Sequence, residues 1–229
     1  MSTRIRFSRK KLKEPDEFLT LTDRLVHYCM EKRAVVSSVV LGILILLGAV
    51  YGVHYYQQME AVHMESLLVE MENIRSQIKN KQPGQVITDL ETTLGKFNES
   101  GQKHRARLLL ADVYYKNQQF DKSIELYSDV LKGASIEDLS HNFAQLGLAY
   151  SYESKKEYKK AIGAYRAIID NKTASLPLLT VYLDLVRCYE FDHDKKNALL
   201  LLREAKNKFK SIADMETIDR RISRLEGEI

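Results

Sequence analysis

Proline and glycine are scarce, at 3 and 10 in 229 residues. A sandwich or barrel needs many tight turns, and tight turns draw on these two residues, so an all-β architecture is excluded; no strand-like alternation recurs either. The fold class is therefore all-α. Cysteine is scarcer still, with Cys29 and Cys188 alone, and two residues make no disulfide framework. Motifs that carry chemistry are missing as well. The six histidines (27, 54, 63, 104, 141, 193) fall in no H-E-x-x-H or Cys/His ligand spacing, and there is no G-x-S-x-G, phosphate loop or dinucleotide fingerprint. Asp192-His193-Asp194 comes nearest to a ligand set, but Asp at such a place favours a polar turn and a helix start. No catalytic residue, no metal site and no cofactor is expected, and the chain does not read as an enzyme.

A further absence is local. From Ala34 to Tyr56 there is no Asp, Glu, Lys or Arg, while charges crowd both flanks. Twenty helical residues cover roughly 30 Å, about the hydrocarbon core of a bilayer, so residues 34–56 are predicted to be a transmembrane helix. The long tail before it and the lack of an A-x-A-like site after it predict an uncleaved anchor. Residues 1–33 carry nine Lys/Arg against five Asp/Glu, and all the excess positive charge of the chain lies there. By the positive-inside rule the N-terminus is expected in the cytoplasm and the large domain outside, with the two cysteines on opposite sides. The basic arm, residues 1–13, is expected near anionic headgroups as a topology determinant, with no nucleic acid as partner. From Asp16, the spacing of Phe18, Leu21, Leu25, Tyr28 and Cys29 predicts an amphipathic juxtamembrane helix. Gly48 and Gly52 form a G-x-x-x-G pair that would permit close approach of a second span, hence self-association.

After the span, Met64, Leu67, Leu68, Met71, Ile74 and Ile78 keep a helical stripe, and Val86, Ile87, Leu90, Leu94 and Phe97 make another after Pro83. The two predict a helical hairpin over residues 60–97, with the anchor helix running outward into it. Three later stretches then line up with a period of 36 to 39 residues, beginning at Leu109, Gln145 and Asp184. In each, a helix ending near a tyrosine (Tyr114, Tyr150, Tyr189) precedes a polar turn and a helix carrying a small residue (Ser123, Ala161, Ala198). This resembles the tetratricopeptide repeat, on Leu110, Ala111, Tyr114, Phe120, Ser123 and Tyr127, then Phe143, Leu146, Gly147, Tyr150, Tyr158, Ala161 and Tyr165, then Tyr182, Leu185, Tyr189 and Ala198. The third unit departs from the pattern with Lys195 where an aromatic is usual. The resemblance implies an α-solenoid over residues 57–229: a degenerate hairpin, repeats at about 104–137, 140–175 and 179–210, and a capping helix at 211–227 opened by Ser211 and Asp214.

The resemblance also implies a concave groove lined by the first helix of each repeat. Mapped onto this chain, it would use Arg105, Leu108, Asp112, Tyr115 and Lys116; His141, Leu148 and Tyr152; and Leu183, Arg187, Glu190 and Phe191. Such a mixed lining suits a peptide from another protein rather than a polyanion. The carboxylate-clamping form of the family has Lys and Asn where this chain has Leu108 and Asp112, which disfavours that specialisation. The layout of basic tail, one span and degenerate repeats is similar to the YfgM-type ancillary subunits of the bacterial Sec translocon. That likeness implies an inner-membrane protein whose periplasmic repeats meet translocon subunits, secreted clients or periplasmic chaperones. A structural scaffold for a cell-envelope assembly, such as division or secretion machinery, is the alternative. Asn98 and Asn171 open formal glycosylation sequons, which matter only in a eukaryotic secretory setting.

Overall fold

A computed structural model describes residues 26–79, 81–98, 101–171, 176–209 and 215–229. The basic arm, residues 16–25 of the juxtamembrane segment, Ser211 with Asp214, and the inner positions of both sequons lie outside the described residues. Among the described residues every regular element is a helix. The chain divides after Glu60 into two units.

In the first unit, residues 26–31 are helical, Lys32 is a turn residue, and the long helix α1 (Arg33–Ser76) begins. Its opening stretch is apolar enough and long enough to cross a membrane, and none of that stretch is covered by protein. A core helix of a soluble protein would be covered, because burial of its apolar side chains is what would hold it in place. Polar groups inside the stretch are satisfied within the helix itself: the Ser37 and Ser38 hydroxyls donate to the carbonyls of Ala34 and Val35 at 3.0 and 2.8 Å. Toward its far end Tyr51 stacks on Tyr55 with ring centroids 6.4 Å apart, residue types that suit a membrane–water interface.

The second unit starts with the last part of α1. Met64, Leu67, Leu68 and Met71, at helical spacing, bury against Val86, Ile87 and Leu90 of α2 (Pro83–Leu94) and against Leu109, Leu110 and Val113 of α3 (Gly101–Lys116). Pro83 sits in the first turn of α2, where a missing N–H costs nothing. Three hairpins follow: α3 with α4 (Phe120–Gly133), α5 (Leu139–Ser154) with α6 (Tyr158–Asp170), and α7 (Leu178–Phe191) with α8 (Lys195–Lys208). Each helix packs on the next, and α3 also touches α5, so the hairpins stack as a solenoid. The last helix, α9 (Met215–Glu228), lays Ile218, Ile222 and Leu225 onto the core of the final hairpin and leaves a polar outer face.

Close helix approach depends on small side chains. Ser123, Ala161 and Ala198, one in the second helix of each hairpin, are all fully buried. Gly147 is tighter still, since a Cβ there would lie 2.3 Å from the Tyr127 ring. The turns repeat too. Gln118, Lys156 and His193 hold φ of 60°, 62° and 62°, one per hairpin. In each the next residue's N–H returns to a tyrosine carbonyl five back, Gln119 to Tyr114, Glu157 to Tyr152 and Asp194 to Tyr189, all at 2.9 Å. This is the Schellman closure that satisfies the last carbonyls of a helix. Asp194 then caps α8, accepting from the Asn197 backbone at 3.1 Å and its side chain at 2.6 Å, and these bonds hold its carboxyl below the usual range. The sequence reading of Asp192–Asp194 as turn and helix start therefore has a direct structural cause.

Two substitutions test this packing in opposite directions, read by thermal melting of the detergent-solubilised full chain. Gly147→Ala is expected to lose about 1–3 kcal/mol by overpacking against Tyr127. Lys156→Gly is expected to gain about 0.5–1 kcal/mol, because glycine adopts positive φ without a Cβ penalty.

Candidate protein-binding groove

The first helices of the hairpins, α3, α5 and α7, carry the residues expected to line the groove. Their surroundings divide the surface into two parts.

Toward the C-terminal end the lining is occupied by contacts within the chain. Arg187 on α7 donates to both carboxylate oxygens of Glu153 on α5, at 2.5 and 2.9 Å, and contacts Asp184 one turn earlier at 2.8 Å. Tyr165 donates to Glu153 at 2.8 Å and Tyr150 donates to Asp184 at 3.1 Å, so two carboxylates, one guanidinium and two phenols form one network across two hairpins. Burial pushes Asp184 above its ordinary range despite Arg187, and burial together with Asp184 raises Tyr150 to about 12. The bonds to Glu153 hold Arg187 firmly protonated. Cys188 is fully buried beside this network, and burial lifts its thiol to about 12, which leaves it an inert small hydrophobe. Glu190 is held by Arg221 at 2.9 Å and Arg224 at 2.6 Å from α9. Phe191 stacks on Tyr158 of the preceding hairpin at 5.1 Å, and Leu183 packs against the core.

The middle of the groove is similar. Tyr115 tilts against Phe120 at 5.7 Å and shares a 3.1 Å hydrogen bond with Ser154 of the next hairpin. Lys160 lies over the Tyr152 ring at 5.3 Å, His141 Nδ1 lies 3.3 Å from the Ala134 carbonyl, and Leu148 packs beside Ala111, Tyr127, Val130 and Ala144.

The N-terminal end differs, because it opens. Arg105, Leu108 and Asp112 line a cavity of about 390 Å³ together with Leu68, Glu72 and Arg75 of α1, Leu109 of α3 and Phe143 of α5. Arg105 pairs with Glu65 at 3.2 Å, Arg75 with Glu72 at 2.8 Å, and Asp112 with Lys116 at 2.7 Å. The α1 residues carry no repeat signature, so the mapping that began at residue 104 passed over them. Phe143, matched to a repeat-signature position, is 47% exposed. Its helix uses Ala144, Ala149 and Ser151 as the buried face, and the neighbouring Leu139, one turn away, is likewise exposed. That i, i+4 apolar pair beside small buried residues is the signal that marks them.

The network makes a specific prediction for stability. Glu153→Ala and Arg187→Ala are each expected to cost about 1.5–3 kcal/mol, since each strands a partly buried charge. The double variant should cost less than the sum by at least about 1 kcal/mol in denaturant melts. Additive losses would mean that the pair behaves as a solvated surface bridge.

Residues 34–176 match the tetratricopeptide repeat-like domain family, and the match begins on the first residue of the apolar run. No curated protein matches the chain. Among solved structures it is similar to the nearly identical TPR-like repeats of a Podosopora anserina protein assigned to kinesin light chain, at TM-score 0.60 and 19% identity over 71% of this chain and 86% of that one. It is also similar to the apo form of RapI (0.58, 15%, 71% of this chain and 64% of that) and to MamA (0.52, 19%, 67% and 76%). At these identities the likeness is one of fold. With the family match spanning more than half of its length, the chain belongs to the tetratricopeptide repeat-like domain family.

Proposed function

We propose that this chain is an inner-membrane-anchored interaction protein: α1 crosses the bilayer once, the N-terminus lies in the cytoplasm, and the repeats work in the periplasm. The observation that carries the reading is the combination of an apolar helix bare of protein cover with a repeat unit of a family built for binding other proteins. The excess of Lys/Arg before the span supports the orientation. On this reading the protein is an ancillary translocon subunit that links secreted clients or periplasmic chaperones to the Sec machinery, in keeping with the likeness of its layout to the YfgM-type subunits. The groove residues act by contact, not by catalysis, and no cofactor enters the account. Gly48 and Gly52 of α1 have no heavy atom within 4 Å of the position a Cβ would take, so that face is open to another span, whether of a translocon subunit or of a second copy.

Photo-crosslinking in intact cells, from a reactive amino acid placed at Leu108 or Tyr152, tests this reading. The expected products are many, and include newly exported polypeptides. A single stoichiometric partner that persists when export is blocked would instead assign the chain to a fixed envelope scaffold.

A further inference from the structure

The two ends of the groove offer a ligand very different surfaces. At the C-terminal end Arg187, Glu190 and Phe191 already hold partners from neighbouring helices. A ligand there would have to break contacts that hold the solenoid together, at the cost of stranding partly buried charge. At the N-terminal end the charges around the cavity are also matched, Arg105 by Glu65 and Asp112 by Lys116, but the apolar surface is not. Among the described residues from 101 to 209, the exposed large apolar side chains are Ile136, Leu139, Phe143, Phe191 and Leu200; Phe191 is stacked on Tyr158, whereas Phe143 lines the cavity. Clustered apolar exposure next to a concavity of ligand size marks a contact surface.

Resting on the interaction reading above, we infer that the docking site of this protein is this N-terminal pocket and its apolar margin, and that it takes an apolar anchor residue of a polypeptide segment uncharged at the seated positions. Charge complementarity sets that chemistry. A rim whose positive and negative groups neutralise one another gives no net attraction to an acidic or basic segment, and seating a charge there would desolvate it without a new partner. A Leu, Met or Phe side chain suffers no such penalty and gains by covering Leu108 and Phe143. Leu139 extends the strip along α5 by one turn, room for a second apolar side chain of the same segment. The remainder of the groove serves as the frame that fixes the pocket.

The test uses the full chain in nanodiscs and fluorescence anisotropy of labelled twelve-residue peptides, with empty nanodiscs as background. One peptide carries Leu and Phe four residues apart in a Ser/Gln/Asn background; its companions replace both by Glu, by Lys or by Ser. Binding of the Leu/Phe peptide alone is expected, weakened about tenfold or more by Phe143→Glu and by Leu139→Glu, and unchanged by Leu200→Glu on α8, which carries no groove residue. Phe143, Leu139 and Leu200 are each about half exposed or more, so folding is retained in these variants, and thermal melts verify this for every variant used. Equal binding of the Glu or Lys peptide would overturn the inference, as would a lack of binding by the Leu/Phe peptide. Loss of binding in Phe191→Glu with none in Phe143→Glu would move the site along the groove, leaving the interaction reading intact. Self-association abolished by Phe143→Glu, read by sedimentation, would overturn it by making a second copy the occupant. Failure of the interaction reading itself would appear separately, as an absence of crosslinked proteins in cells.

Discussion

The constraint on which everything else depends is that the first part of α1 exposes apolar side chains which none of the described residues covers. Leu41, Leu44, Ile45, Leu46 and Leu47 are each more than half exposed. Leaving each such side chain in water forgoes roughly 1.5–3 kcal/mol of burial, in sum about as much as the whole stability of an ordinary domain. A bilayer removes that cost, and it accepts a helix because helices satisfy their own backbone groups. The composition of about twenty residues thus makes this helix a candidate membrane span.

The repeat unit answers a different problem, that of stacking helices closely with few glycines. Fully buried Ser123, Ala161 and Ala198 allow the crossings, and Ser123 even shares a 2.9 Å hydroxyl contact with Ser151 of the next hairpin. Bulk is supplied by tyrosines, with Tyr165 and Tyr182 among the largest fully buried side chains. Their hydroxyls need acceptors in an apolar setting, and Glu153 and Glu204 provide them at 2.8 and 2.6 Å. The solenoid is therefore held by polar clasps within hairpins, and by the Arg187–Glu153 and Tyr150–Asp184 bonds between them, as well as by apolar burial.

This explains which features were legible in the sequence. The charge-free run, the helical stripe from Met64 onward and the small residue of each hairpin are local patterns, and local patterns survive without coordinates. The turns were legible as polar stretches, but their left-handed residues were not, because that conformation normally announces itself by glycine and here falls on Gln118, Lys156 and His193. The Glu153–Arg187 clasp joins positions 34 residues apart with no motif between them. Placement along the groove followed from the repeat register, but what each lining residue touches depends on its neighbours in the adjacent hairpin. Phe143 shows the same limit from the other side: a signature aromatic became surface because Ala144 and Ala149 leave its helix a narrow buried face.

The central claim is that one span separates the basic tail from the repeats, and protease treatment of spheroplasts carrying a tag at the N-terminus tests it most directly. Protease added from outside should digest the region from residue 61 onward and leave a protected, tagged fragment that contains the span. Survival of the repeat unit with loss of the tag would contradict the orientation, and the periplasmic function would fall with it.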